Sequence, residues 1–213
     1  MGRLSEWTVF LSEYRRNFHS TGAILPSSRF LARAITRFCF REPHATRVLE
    51  AGPGTGAFTD RLIRQLRPGD SLVLVELNER FVHVLRRRLE VDRQWAARRQ
   101  QIEIHHAPVE ELADGRRFDA IVCGLPFNNF EPELVERLFL RLLSLLAGRG
   151  MFSFFEYLWI RRLKAVFVGS EERRRLAQVG QIIERLIRRH EAAADRVLLN
   201  VPPALVHHLR SGS

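Results

Sequence analysis

The run Glu50-Ala51-Gly52-Pro53-Gly54-Thr55-Gly56 stands between an apolar stretch ending in Val48 and Leu49 and a segment with helical apolar spacing. Strand, glycine turn and helix in that order suit a nucleotide-type cofactor. Glycine supplies the backbone angles the turn needs and leaves no Cβ between ligand and main chain. A second apolar run, 72–77, brings Glu76 across the crevice from the glycine turn, where a carboxylate fits two ribose hydroxyls. Gly52, Gly54 and Ala57 also satisfy G-x-G-x-x-A, so the spacing leaves a dinucleotide open. Further along, Gly124-Leu125-Pro126-Phe127 closes the fourth apolar run, at the end of a strand where ligands of open α/β sheets bind.

Other side chains narrow the chemistry. Cys39 and Cys123 are far apart, without metal-ligand spacing, and read as buried thiols. His105-His106 and His207-His208 are adjacent pairs; on a strand, neighbours point to opposite faces and do not share one ion, so no metal site is expected. The 213 residues carry a net charge of +10, almost all of the excess from arginine, which favours a polyanion such as RNA or an anionic bilayer. Arg86-Arg87-Arg88 and Arg173-Arg174-Arg175 fall on helical stretches, either as solvated faces or as binding patches. No uninterrupted apolar run approaches the ~20 residues of a membrane span.

From Thr46 onward strand and helix patterns alternate, the sign of a parallel sheet covered on both faces. Strands are expected near 47–51, 71–77, 101–105, 118–123, 150–155 and 196–201, with helices near 57–66, 79–90, 132–146 and 171–189. The expectation is a single domain over 1–213, α/β in class: an amphipathic helical segment over 1–20, a turn and helix over 21–45, and a doubly wound, mostly parallel, Rossmann-like core over 46–213. In the amino-terminal segment Leu4, Trp7, Phe10, Leu11, Tyr14 and Phe18 share one helical face flanked by Arg3 and Arg15; such a helix packs on a core or lies in a bilayer interface. Ser27 or Ser28 is placed to cap the next helix, with Phe30, Leu31, Ala34, Ile35 and Phe38 as its inner face.

Glu50 before the first glycine, together with Gly124 to Phe127 at the fourth strand end, resembles the class I methyltransferases that bind S-adenosylmethionine. Adding Gly22 to Ser28 and Val201-Pro202-Pro203-Ala204, the order of motifs resembles bacterial phospholipid N-methyltransferases over nearly the whole chain. That resemblance implies S-adenosylmethionine as cofactor, held by Glu50, Gly52, Pro53, Gly54, Gly56, Glu76, Leu77, Asn78, Ala107 and Gly124. Gly52, Gly54 and Gly56 would let backbone donors face the methionine carboxylate, with the helix from Ala57 lending its positive end. It further implies methylation of an aminolipid, phosphatidylethanolamine toward phosphatidylcholine or an ornithine lipid, by a cytoplasmic enzyme peripheral to the membrane, with residues 1–20 docked on its anionic surface. Gly124, Leu125, Pro126 and Phe127 would border the acceptor, the Phe127 ring facing the ammonium, with Tyr14, Glu156 and Tyr157 orienting it. Ribosomal RNA adenine dimethyltransferases carry Asn where this chain has Gly124, and that departure disfavours an adenine acceptor.

Overall fold

The computed structural model describes residues 28–112, 115–158 and 169–211. Its centre is a seven-stranded sheet in the order β3-β2-β1-β4-β5-β7-β6. The strands are β1 Arg47–Ala51, β2 Ser71–Glu76, β3 Ile102–His106, β4 Phe118–Cys123, β5 Leu146–Tyr157, β6 Glu191–Val197 and β7 Ala204–Leu209. The ladders from β3 through β5 are parallel, whereas β7 runs antiparallel to both β5 and β6. This is the expected Rossmann-like doubly wound sheet. Its strand order reverses at β1, so a crevice opens beyond the carboxyl ends of β1, β2 and β4.

The helices are α1 Arg29–Ile35, α2 Thr59–Gln65, α3 Glu79–Val91, the single turn α4 Arg93–Ala96, α5 Pro132–Ser144 and α6 Ser170–His190. Strand alternation sorts the core into two halves. Leu49, Ala51, Val73, Val75, Ile121 and Cys123 face α5 and α6. Val48, Leu72, Leu74, Ala120 and Val122 face Leu31 and Ile35 of α1, Leu62 of α2, Leu85 of α3 and Trp95 of α4.

Several boundaries differ from expectation for local reasons. The final strand, expected over 196–201, is instead a hairpin of β6 and β7 whose turn contains Asn200, Pro202 and Pro203. Two prolines without an amide donor cannot sit inside a ladder. The helix expected from Ala57 starts only at Thr59, behind Gly56 at φ +95°. Ser28 caps α1 by accepting a hydrogen bond from the Leu31 amide, as expected, but the buried side is Leu31, Ala32 and Ile35, and Phe30 points outward. Strand β5 extends beyond 150–155 at both ends, so Glu156 and Tyr157 are its last ladder residues. The segment 1–27, including the proposed interfacial helix and Tyr14, lies outside the described residues.

Candidate active site

The glycine turn follows directly from β1. Gly52 adopts φ +70°, Gly54 +57° and Gly56 +95°, a region that disfavours side chains. At two of these positions a Cβ would also press on neighbouring side chains. A Cβ on Gly52 would come 2.6 Å from Leu125 Cδ2, and one on Gly56 would come 2.8 Å from Arg88 Nη1. Nothing lies within 4 Å of a Cβ built on Gly54, so this residue presents open backbone to the crevice. The amides of the three glycines are themselves engaged within the protein. Gly52 N–H donates to Val75 O (2.9 Å), Gly54 N–H to Glu76 Oε2 (3.0 Å) and Gly56 N–H to Pro53 O (2.9 Å). These internal bonds shape the turn, so the glycines act here through close approach rather than through a ring of unused donors.

Glu76 closes the opposite wall. Its carboxylate accepts from the Gly54 amide and, at 2.8 Å, from the Asn78 amide, which ties β2 across the crevice to the glycine turn. Burial raises the Glu76 pKa above its usual value, while the amides of Asn78, Gly54 and Leu77 and the charge of His106 oppose that rise. Asn78 caps α3 through its side chain, which fixes the wall's position. The crevice is lined by Gly52, Gly54, Glu76, Leu77 and Asn78 on this side and by Ala107, Pro108 and Val109 after β3. Gly124, Leu125, Pro126 and Leu138 close it beside β4. The lining is apolar around a single buried carboxylate, a pattern suited to a nucleoside whose sugar needs an acceptor.

Gly124 sits against the glycine turn. Its amide donates to Ala51 O, and a Cβ placed on it would come 2.6 Å from Gly52 O. Backbone, not a movable side chain, occupies the place an Asn side chain would need. The following turn contradicts one expectation. Phe127 is only 4% exposed, with ring centroids 4.5 Å from Phe139, 5.9 Å from Phe154 and 6.2 Å from Phe130. Its ring belongs to the core and offers no face to an ammonium, because the one-turn 3₁₀ segment Phe127–Asn129 rotates it inward.

Glu50 is fully buried on the face opposite Leu49 and outside the crevice lining. Its Oε2 accepts from Thr59 Oγ1 (2.7 Å), and Oε1 has no hydrogen-bond partner among the described residues. Burial raises its pKa to about 8; the Thr59 hydroxyl opposes that shift and the charges of Asp60 and Glu76 add to it. Glu156 and Tyr157 reach the carboxyl edge of the sheet, but as strand neighbours they face opposite sides. Glu156 lies 3.7 Å from His207, and Tyr157 packs edge-on against Phe155. They do not converge on one small head group from the same side of the sheet. His207 and His208 also diverge: His207 pairs with Glu191 at 2.6 Å, and His208 with Ser153 at 2.7 Å and Asp195 at 3.2 Å.

Residues 48–150 match the family described as a methyltransferase domain. The protein is a methyltransferase. S-adenosylmethionine, the cofactor expected from the sequence, agrees with this domain and with the crevice that Gly52, Gly54 and Glu76 form within it. An ornithine lipid N-methyltransferase from Singulisphaera acidiphila is 26% identical over 156 residues, covering 70% of this chain and 77% of that protein. A ribosomal RNA small subunit methyltransferase A from Synechococcus is 42% identical over 97 residues, but this match covers 45% of the chain and 33% of that protein. The chain thus spans about a third of the length of that relative. Among solved structures, an O-methyltransferase from Bacillus cereus in complex with SAH superposes with a TM-score of 0.67 at 15% identity, covering 95% of this chain and 90% of that one. The seven-stranded sheet, of which the matched residues supply β1 to the start of β5, therefore has the class I methyltransferase fold.

The domain also contains supports that spacing alone does not reveal. Arg88, from the arginine run of α3, donates to Thr55 O (3.1 Å) and to Asp60 Oδ1 (2.5 Å), and its guanidinium stacks 4.3 Å from the Trp95 ring centroid. Trp95 Nε1–H donates to the same Asp60 oxygen at 2.8 Å. This trio clamps the outer side of the glycine turn. Arg175 likewise donates to the main-chain carbonyls of Asn128 and Phe130 while paired with Glu172. One arginine of each run therefore serves the fold; the only sequence signal for Arg88 is an (i, i+4) acid, Asp92, on its helix.

Proposed function

We propose that this methyltransferase uses S-adenosylmethionine to methylate the amino head group of a membrane lipid, an ornithine lipid or phosphatidylethanolamine. The observation that carries the reading is the contact between Gly124 and Gly52. With Gly52 O 2.6 Å from any Cβ on Gly124, the acceptor mouth has no room for an amide side chain to grip an adenine amine. Phe127 is likewise buried and unavailable to stack on a flipped base. The similarity to an ornithine lipid N-methyltransferase over 70% of the chain supports the same choice, and it brings that head group forward beside phosphatidylethanolamine.

When bound, the cofactor supplies an electrophilic methyl group on a sulfonium. The chain's own residues align and desolvate. Glu76, which already accepts from the Gly54 and Asn78 amides, would hold the ribose hydroxyls with its remaining lone pairs. Val75, Leu77, Val109, Leu125 and Leu138 exclude water from the crevice. A lipid ammonium resembles a lysine, with a pKa of about 10, and must give its proton to solvent before its nitrogen can attack; an apolar mouth lowers that value. Backbone carbonyls around Leu125 would receive the N–H groups, and in-line placement would dominate the rate.

The test offers methyl-labelled S-adenosylmethionine in parallel with ornithine lipid, phosphatidylethanolamine and RNA, the lipids in anionic mixed micelles. Label in a lipid head group is expected. Label confined to RNA would overturn the proposal.

A further inference from the structure

Strand β6 runs parallel to β5, so its carboxyl end and the turn that follows project from the same edge as Gly124 and Tyr157. Register fixes this: Tyr157 and Val197 both pair with Ala204. Two strand spacings, roughly 10 Å, separate β5 from β6. The turn is built inside out. Asn200, its polar residue, is 3% exposed; its Oδ1 accepts from the Ser28 amide (3.1 Å) and its Nδ2 donates to Pro202 O (2.7 Å). The aliphatic residues around it point outward, with Leu198 66%, Leu199 70% and Val201 70% exposed. A soluble hairpin turn ordinarily presents the polar residue and buries the leucines.

The surroundings indicate what covers this tip. The Ser28–Asn200 bond places the start of α1 beside it, where Arg29 and Arg33 are exposed on one helix face and the Arg29 guanidinium lies 4.9 Å over the partly exposed Phe30 ring. Arg196 is exposed at the end of β6, while nearby Asp195 is already engaged by Arg37 and His208. The turn between Leu198 and Pro203 contains no acid. Exposed aliphatic side chains with exposed arginines on the adjoining helix and strand complement one surface in particular, an anionic bilayer whose phosphates meet the guanidiniums while its acyl region takes the leucines.

We propose that the tip of the β6–β7 hairpin, through Leu198, Leu199 and Val201, inserts into an anionic membrane and brings the acceptor edge of the sheet to the lipid head groups. The inference gives physical form to the aminolipid reading, on which its purpose rests, but insertion itself can be read without any methyl acceptor. It is distinct from the interfacial helix expected over residues 1–20, because it uses the turn between two strands of the sheet.

The experiment uses the full chain with Leu199→Cys carrying an environment-sensitive fluorophore, since Cys39 and Cys123 are both buried. Vesicles of phosphatidylglycerol and phosphatidylcholine, which offer no acceptor amine, are expected to shift its emission to the blue, an effect reduced by salt. An unchanged emission would overturn the proposal. So would an emission already blue before vesicles are added, which would mean that another part of the chain or a second copy covers the tip. In parallel, Leu198→Ser/Leu199→Ser/Val201→Ser should lower vesicle partitioning by at least about tenfold without changing the thermal melt, as expected for three exposed aliphatic groups. Partitioning equal to that of the parent protein would contradict the assignment. Insertion without methyl transfer to any lipid would leave the tip in place and overturn the substrate reading alone.

Discussion

Gly124 and Gly52 touch backbone to backbone, with the Gly52 carbonyl 2.6 Å from where any Cβ on Gly124 would stand. The fourth strand and the glycine turn are thereby locked at a separation only glycine allows. Gly124→Ala should destabilise the apoprotein by roughly 1 to 3 kcal/mol through overpacking and weaken cofactor binding with it. Chemical denaturation and calorimetry read the two effects. Full stability and affinity in Gly124→Ala would show that the turn yields freely, and the steric argument against an adenine-gripping Asn would go with it.

Arg88 makes a second prediction from the back of the same turn. Arg88→Met keeps the stem over Trp95 but loses the bonds to Thr55 O and Asp60. For a side chain 25% exposed, a loss of about 1 to 2 kcal/mol is expected, below the full value of buried charged hydrogen bonds. Cofactor affinity should fall as well, since Thr55 lies within the glycine turn. A variant with unchanged denaturation midpoint and affinity would remove Arg88 from the support of the site.

Glu50 gives the protein a pH dependence of definite sign. Its folded pKa of about 8 lies above the ordinary 4.5, because burial opposes the charged form. The folded state holds a proton that the unfolded chain releases, so this contribution is fully present below pH 4.5 and is lost as pH rises through about 8. Melting temperature should therefore fall between roughly pH 5 and 8, and Glu50→Gln should flatten that slope. Equal slopes in the two proteins would mean that Glu50 is already ionised in the fold.

Phe127 is assigned by its position in the structure to the core. Phe127→Ala should cost about 3 to 5 kcal/mol of stability, as a buried aromatic truncation does, whereas Phe127→Leu should retain most methyl transfer. Urea denaturation separates this from an acceptor role. A stable Phe127→Ala that binds cofactor normally yet loses transfer would return the ring to the acceptor.

These residues also mark what the sequence could reveal. Strands β1, β2 and β4 and the positions of Gly52, Gly54, Glu76 and Gly124 were legible because continuous apolar runs of strands buried on both faces and glycine turns are local signals. The inward rotation of Phe127 was not, since a Gly-Leu-Pro-Phe turn is compatible with either side and only packing against Phe139 and Phe154 decides it. The two strands of the β6–β7 hairpin are not legible because Glu191 to Asp195 has neither β-branched residues nor apolar alternation, and its pairing partner β7 supplies the missing preference. The long-range bond from Arg88 to Asp60 has only the neighbouring acid Asp92 as a local trace, and Asp92 does not point to Asp60.

The most direct measurement is a single-vessel competition in which the purified protein receives deuteromethyl-labelled S-adenosylmethionine with equal amounts of ornithine lipid, phosphatidylethanolamine and RNA, followed by mass analysis of every acceptor. The account predicts labelled methyl on the amine of a lipid head group and none on adenine; labelled dimethyladenosine with unmodified lipids would contradict it.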